Sequence, residues 1–462
     1  MARRFAAAPG GDKAKRIRQA RGGCPGRTAM IRFAHSKLAG IVLLALVLRG
    51  AVLWRTASML DDDVDQYRGI ALNLIAGRGY AGPGDNLPTA FRPPLYPLLL
   101  ASVFALGGSS FSAGLVQMLI GAPTVLLTYA AGRRLGLHRG AGLAALLVAI
   151  DPLLLHNTSL IMTETLAACL SAGWLYLAAG DDRAANFRRP LAIGVVLGVC
   201  CLCRPTYVAV GALTVSSTGM AWLARRLGWS GALQMLPGSS RRSCFAFVLG
   251  AGLTLGPWVV RNAVVLGAPI ATTTHGGYTL LLGHNPVYYA EVVDRPWGAV
   301  WGRDSLVQWQ TSLEVELARD RVAPHDELAR DRWMYCRAWR TIRSNPAHAI
   351  RSSLTLLGRL WNLAPLAGSV PTVARWAIGG FYMAVFAGML SGLLRMPARE
   401  CRRWQPALCL IVGFTLVHTV YWADMRMRAP LVPALALLAA RGIQNRSSPR
   451  EAAGTDSETH DA

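Results

Sequence analysis

Lysine is almost absent from this 462-residue chain, occurring only at Lys13, Lys15 and Lys37. Any anion contact beyond the first apolar run therefore falls to arginine or to backbone N–H groups, and arginine can grip phosphate oxygens bidentately. Charge is scarce altogether: 16% of residues are charged and 53% hydrophobic, whereas soluble domains carry about a quarter charged residues. An ordinary soluble enzyme is excluded. The chain has no Gly-rich phosphate loop of the Walker or dinucleotide kind, which argues against a nucleotide-sugar or ATP substrate. It has neither Gly-x-Ser-x-Gly nor His-Glu-x-x-His, so hydrolase readings lack support. The nine cysteines form no framework. Cys169, Cys200, Cys201, Cys203 and Cys409 lie in apolar runs as small hydrophobes, and Cys201 and Cys203 are too close together for a zinc ribbon. Neither a structural metal nor a structural disulfide is expected.

What the chain does have is apolar runs of membrane-spanning length, with a mean hydropathy of +0.32. These are solid Leu/Ala/Val/Gly runs, unlike the short alternating segments of a β-barrel, so the expected fold class is an all-α polytopic membrane protein. The net charge is +23 and the pI about 10.6. No basic face with aromatic platforms accompanies that charge, so nucleic acid is not an expected partner. The arginines gather between apolar runs instead, as the positive-inside rule requires.

Residues 1–37 predict a disordered basic cytoplasmic arm, and 442–462 a disordered cytoplasmic tail. Between them, 38–441 reads as one transmembrane domain. Its first span, 38–56, is too long for a signal-peptide core and is read as an uncleaved anchor whose basic flank stays inside. Arginine placement then orders the spans as 110–131, 141–156, 160–179, 190–204, 206–223, 244–260, 373–394, 405–422 and 429–441. That makes about ten, with both termini inside. The first outer loop, 57–109, carries a short apolar segment at 94–107 that reads as a juxtamembrane or re-entrant helix. A long outer region, 262–372, holds a helix start at Asp326-Glu327 and a stop at Asn345-Pro346. Beyond that, Ile350, Leu354, Leu357 and Trp361 recur at helical spacing, with Arg351, Ser352, Thr355, Arg359 and Asn362 opposite. This pattern predicts an interfacial amphipathic helix on the outer leaflet.

Four carboxylates, Asp61, Asp62, Asp63 and Asp65, follow the first span at its membrane exit, where charge is costly without a role or water to face. Tyr67 and the stiffened turn Arg92-Pro93-Pro94 come next. A carboxylate for an acceptor hydroxyl and an arginine for a leaving phosphate suit glycosyl transfer from a lipid phosphate. On this topology the outer face also collects Asp151, His156, Glu164, Arg204, Arg261, His275, His284, Asn285 and Arg426. The bland readings are concrete: Asp151 as a helix terminator, Arg204 and Arg261 snorkelling to headgroups, His275 and His284 as plain loop residues. Asp61-x-Asp63 and Asp63-x-Asp65 could each bind a divalent cation with added oxygen ligands, but lone Asp-x-Asp pairs are common by chance. No metal site and no cofactor are expected.

An ordered set of short motifs resembles the dolichyl-phosphate-mannose–protein mannosyltransferase family and its bacterial relatives, including the lipid A aminoarabinose transferases. The set runs Asp63-x-x-x-Tyr67, Ala71-Leu72-Asn73-Leu74, Gly77-Arg78-Gly79-Tyr80 and Phe91-Arg92-Pro93-Pro94-Leu95-Tyr96-Pro97. It continues with Asp151-Pro152, Thr163-Glu164-Thr165, Arg204-Pro205-Thr206, Pro257-Trp258-x-x-Arg261-Asn262 and Arg426-Met427-Arg428-Ala429-Pro430. The resemblance spans roughly 38–441 and implies a GT-C type bundle. It also implies Asp63 as catalytic base, with Asp62 as the alternative, and Arg92 where relatives have a phosphate-contacting lysine. Phe91 stands where those relatives can have an acidic metal ligand.

The expectation is an inverting hexosyl- or pentosyltransferase of the cell (inner) membrane, working on the outer or periplasmic side. Its donor would be a polyprenyl-phosphate-linked sugar and its acceptor a protein, lipid or polysaccharide. Arg92, Arg204, Arg261 and Arg426 are the expected phosphate-binding residues; Tyr67, Asp151, Glu164, His275 and Asn285 complete the cavity. The rivals are a transporter or flippase of a lipid-linked glycan, against which no half-to-half repeat is visible, and a non-catalytic subunit that kept the fold.

Overall fold

The apolar runs between arginine clusters fold as helices. The computed structural model describes residues 25–444 except 85, 181–186, 227–240 and 367. Residues 1–24 of the expected arm, 445–462 of the expected tail and Arg183 lie outside the described residues. Helix α1 runs Pro25–Arg55, so its first turns fall within the basic segment ahead of the first span. No proline or glycine interrupts the chain from Thr28 to Ala39, and the span's helix therefore continues into its basic flank. The first outer loop holds α2 (Tyr67–Ile75) and α3 (Leu95–Ala105). Then follow α4 (Ser110–Arg134), α5 (Gly140–Ala149), α6 (Pro152–His156), α7 (Glu164–Ala178) and α8 (Arg188–Cys203). Helices α9 (Tyr207–Arg226) and α10 (Arg241–Leu266) complete this half. The outer region contributes α11 (Gly276–Gly283), α12 (Arg303–Arg319), α13 (Glu327–Ser344) and α14 (Pro346–Leu360). The last three helices are α15 (Thr372–Leu394), α16 (Ala398–Val420) and α17 (Val432–Gln444).

Each of the ten expected spans is helical, although their boundaries shift by a few residues. Among the described residues, four helices, α4, α10, α15 and Ser36–Arg55 of α1, are long and apolar enough to cross a membrane unaided. Gly140–Ala149 and Pro152–Ser159 together reach the same length and apolarity, bent by 41° at the break between them. Asp151-Pro152 makes that break: Pro152 opens α6, and the Asp151 carboxylate accepts from Leu154 N at 3.0 Å as its N-cap. In α17, every residue from Val432 to Ala440 is buried, so this helix forms the axis of the bundle and needs no lipid-matched length.

Small residues let the helices approach. A Cβ on Gly194 of α8 would fall 2.0 Å from the Phe247 carbonyl oxygen of α10, and one on Gly250 would fall 2.2 Å from Leu191 O. The same close contact joins Gly392 of α15 to Leu438 O of α17. Such backbone proximity is how apolar helices gain packing energy where burial against lipid supplies little.

Two smaller cores flank the bundle. One ties the first loop to α1 and α4 through Leu53, Leu60, Tyr67, Ala71, Tyr96 and Leu100. The other is aromatic and holds the outer helices together around Tyr288, Tyr289, Trp301 and Trp309. Helix α13 starts and stops as its sequence predicts, with Asp326 capping Ala329 N at 2.9 Å and Asn345 ending it. Helix α14 is amphipathic, and the face that packs on the protein is the one opposite Ile350 and Leu354. Ser352, Leu356, Arg359 and Leu360 are buried, while Ile350 and Leu354 stay more than 60% exposed. Two polar residues turn inward because the second core offers them acceptors. Ser352 donates to Gly283 O at 2.6 Å and Arg359 to Ala299 O at 2.7 Å.

Candidate active site

Because the spans alternate in direction, the C-terminal ends of α1, α8 and α16 and the N-terminal end of α7 lie at one end of the bundle. Each of these chain reversals delivers a charged residue to a common cluster. Arg92, from the turn before α3, donates through Nε to the Asp65 carbonyl and through Nη2 to Asp65 Oδ1, both at 2.9 Å. Its guanidinium lies over the rings of Tyr67 and Phe91, 5.3 and 4.6 Å from their centroids. Arg204, at the C-terminal cap of α8, pairs with Glu164 at 3.2 Å and donates to Thr163 Oγ1. Arg426, from the 3₁₀ turn Met425–Leu431, lies 3.3 Å from Asp424 and 4.0 Å from Asp65 Oδ2.

Three arginines and three carboxylates thus meet around Tyr67. Burial pushes the Tyr67 phenol up to about 12, against the pull of Arg92, so it is a neutral hydrogen-bond donor at physiological pH. Burial works against the charge on Arg426, but Asp424, Glu164 and Asp65 outweigh it and hold its pKa above the ordinary value. Two guanidinium N–H groups face sulfur: Arg204 Nη2 contacts Met427 Sδ, and Arg426 Nη1 contacts Met162 Sδ. A thioether is a weak acceptor, so an oxyanion would be the better partner at either position.

Most of the other expected site residues are placed apart from this cluster. Asp63 points its carboxylate at the start of α2, accepting from Arg68 N at 3.0 Å and Gly69 N at 2.8 Å. Asp62 is exposed, and Asp61 lies 3.7 Å from Arg68 at the surface. Arg261 is absorbed by the backbone, donating to Thr89 O at 2.7 Å and Tyr80 O at 2.8 Å while resting on Tyr80 and Trp258. Its two terminal nitrogens are held by Thr89 O, Tyr80 O and Asn262 Oδ1, so it holds a loop in place. Asp151 is buried inside the bundle, where it accepts from Tyr382 OH. Asn285 caps a helical turn through Tyr288 N at 2.8 Å. His284 is held between Tyr289 OH and Val420 O. His275 borders the cluster, edge-on to Phe91 and stacked on Tyr278; burial first, and Arg92 second, drive its pKa well below 6.5.

The sequence reading missed Asp424, Met162 and Met427. Asp424 had a signal, since it stands two residues before Arg426 in a run that breaks a span. Among the described residues, no group of three or more His, Cys, Asp or Glu side chains could hold a metal ion.

A family model described as dolichyl-phosphate-mannose-protein mannosyltransferase matches residues 91–240, the segment that carries Arg92, Glu164 and Arg204. Among solved structures, the archaeal oligosaccharyltransferase AglB from Archaeoglobus fulgidus, in complex with an inhibitory peptide and a dolichol-phosphate, superposes with a TM-score of 0.52 at 14% identity. The match covers 89% of this chain and 50% of that one. The chain shares its fold with the matched half of that enzyme. The same archaeal enzyme tethered with an acceptor peptide gives a TM-score of 0.51 at 14% identity, covering 89% and 49% of the two chains. ArnT from Cupriavidus metallidurans bound to undecaprenyl phosphate gives 0.39 at 16% identity, covering 88% and 77%. The chain thus spans about half the length of the oligosaccharyltransferases it matches. No curated protein matches its sequence.

Proposed function

We propose that the chain is an inverting glycosyltransferase that moves a sugar from a polyprenyl-phosphate donor to an acceptor hydroxyl or amine at the outer face of the cell membrane. The observation that carries this reading is the convergence of Arg92, Arg204 and Arg426 with Asp65 and Glu164 at one end of an apolar bundle. The shared fold and the family match over 91–240 support it. The acceptor oxygen or nitrogen attacks the anomeric carbon, the bond from that carbon to the phosphate oxygen breaks, and the acceptor proton passes to a carboxylate. The phosphate leaves as a monoester with one more negative charge, which the arginines offset. Arginine supplies that compensation with no step through a metal.

Asp65 takes the base role from Asp63. Its Oδ1 is occupied by Arg92, but its Oδ2 lies 4.0 Å from Arg426 and is the freer oxygen for an acceptor. Its side chain is 22% exposed, whereas Glu164 is nearly sealed at 3%, which leaves Glu164 to orient Arg204.

The test pairs mass spectrometry of lipid-linked sugars and glycans, with and without the gene, with transfer assays on purified protein. Accumulation of one polyprenyl-phosphate sugar with loss of one glycan would name both substrates. Transport of a lipid-linked glycan without any transfer chemistry would replace this reading with a flippase. Chelation by EDTA is expected to leave turnover unchanged, and a requirement for divalent cation would overturn the arginine-only account.

A further inference from the structure

Glu327 is a carboxylate that the transfer chemistry does not use, yet it joins three segments. It opens α13 in the outer region and reaches back to the first outer loop. Its Oε2 accepts from Thr89 Oγ1 at 2.5 Å; its Oε1 accepts from Ala90 N at 3.0 Å and from the Thr274 hydroxyl. The same short stretch is held from other directions. Thr274 N donates to Ala90 O at 3.1 Å, Thr273 Oγ1 to Phe91 O at 2.5 Å, and Thr89 Oγ1 accepts from Phe91 N at 2.9 Å. Arg261 holds Thr89 O, and Tyr80 OH holds Arg92 O at 2.8 Å. Arg92 is the next residue along.

We propose that Glu327 is a positioning residue that latches the outer helices onto residues 89–91 and so sets where the Arg92 guanidinium stands relative to Asp65. The proposal rests on the reading of Arg92 as a clamp for the donor phosphate. A helix-start glutamate with only a local role would face water or its own first turn. This one engages a backbone amide and two hydroxyls from segments 237 and 53 residues away in sequence. Hydrogen bonds to an ionised carboxylate are roughly twice as strong as neutral ones, and misplacing a clamp by about 1 Å can cost about a hundredfold in rate. Position two residues before the clamp is where such a latch has most leverage.

The experiment uses the full chain in detergent micelles, with undecaprenyl phosphate as the probe. Glu327→Ala should weaken lipid-phosphate binding by about tenfold, and Glu327→Gln should recover part of it, because the amide oxygen can still accept from Ala90 N. In an Arg92→Ala background, Glu327→Ala should add nothing, as expected of residues acting in series. Amide exchange over residues 88–92 should rise in Glu327→Ala and less in Glu327→Gln, beyond any rise that a lower melting temperature spreads over the whole fold. If Glu327→Ala does not fold, Thr274→Val removes one of the three partners and should give a smaller rise at the same amides. Unchanged exchange at 88–92 would overturn the latch. Losses that multiply in the double variant would overturn its action through Arg92. A wild-type chain that ignores the lipid phosphate, with Arg92→Ala no different, would instead overturn the donor reading and the functional half of the proposal with it.

Discussion

Asp63 commits both carboxylate oxygens to the amides of Arg68 and Gly69, so its replacement should tell on stability. Leaving two first-turn amides without their acceptor costs about 1 to 3 kcal/mol, and Asp63→Ala should lower the melting temperature while much of the turnover survives. Asp65→Asn is the complementary case. It is nearly isosteric and keeps an acceptor for Arg92, but it cannot take a proton, so turnover should fall by about 10² to 10⁴ with folding intact. Full activity in Asp65→Asn would remove it as the base. The aspartate run itself was legible in the sequence, but which member faces the arginines was not. The choice is made by Gln66, which sits in the left-handed region at φ 62° and turns the chain between Asp65 and α2. Away from the cluster, Asp331 accepts from Gly277 N at 2.6 Å, and burial raises its pKa to about 6, with Glu327 adding to the rise. The folded state therefore holds this proton between about pH 4 and 6, where the unfolded chain has released it. Stability is lost as pH climbs through that window and stays level above it. Asp331→Asn should accordingly melt a few degrees higher than wild type at pH 7.5, and that advantage should shrink to nothing below about pH 4. A constant difference across the range would show that Asp331 does not titrate there.

At the scale of helices, the periodic apolar pattern predicts each element but not which face it buries. Helix α14 shows why. Lipid, the aromatic outer core and water all compete for its surface, and hydrogen-bond acceptors at Gly283 and Ala299 draw Ser352 and Arg359 inward. Single-sequence amphipathicity ranks apolar against polar residues and carries no information about such acceptors. The bundle contacts have a clearer trace, since Gly194-x-x-x-Gly198 and Gly388-x-x-x-Gly392 place small residues one turn apart on helices that touch. The structure separates contact glycines from spare ones on a single helix pair. Gly194→Ala would press a methyl into the Phe247 backbone at 2.0 Å, whereas Gly252→Ala on α10 meets nothing within 4 Å. The first should reduce the folded yield and the melting temperature in detergent. The second should be neutral or stabilising by up to about 1 kcal/mol, because alanine favours the helix. Equal behaviour of the two variants would mean that α8 and α10 do not pack as described.

For the whole molecule, the spans and their order follow from arginine spacing, because charge bounds a segment that must lie in hydrocarbon. The shared end at which Arg92, Arg204 and Arg426 meet follows from alternation alone. The partners of each arginine do not, since they depend on how the segments between spans fold back. Sidedness is the remaining physical question, and the chain carries its own reporters. Cys336 is an exposed thiol on α13 of the outer helices, while Cys401 is partly exposed at the opposite end, in the first turn of α16. If the arginine-rich ends lie inside, a membrane-impermeant maleimide applied to intact cells should label Cys336 and leave Cys401 unmodified until the membrane is opened. Cys336→Ser should abolish the outside signal. His138→Cys, placed in the exposed turn between α4 and α5, should stay dark in intact cells and label after lysis. Labelling of His138→Cys in intact cells, with Cys336 protected, would invert the molecule. The cluster around Asp65 would then face the cytoplasm, where a polyprenyl-linked donor and its acceptor would have to be sought instead.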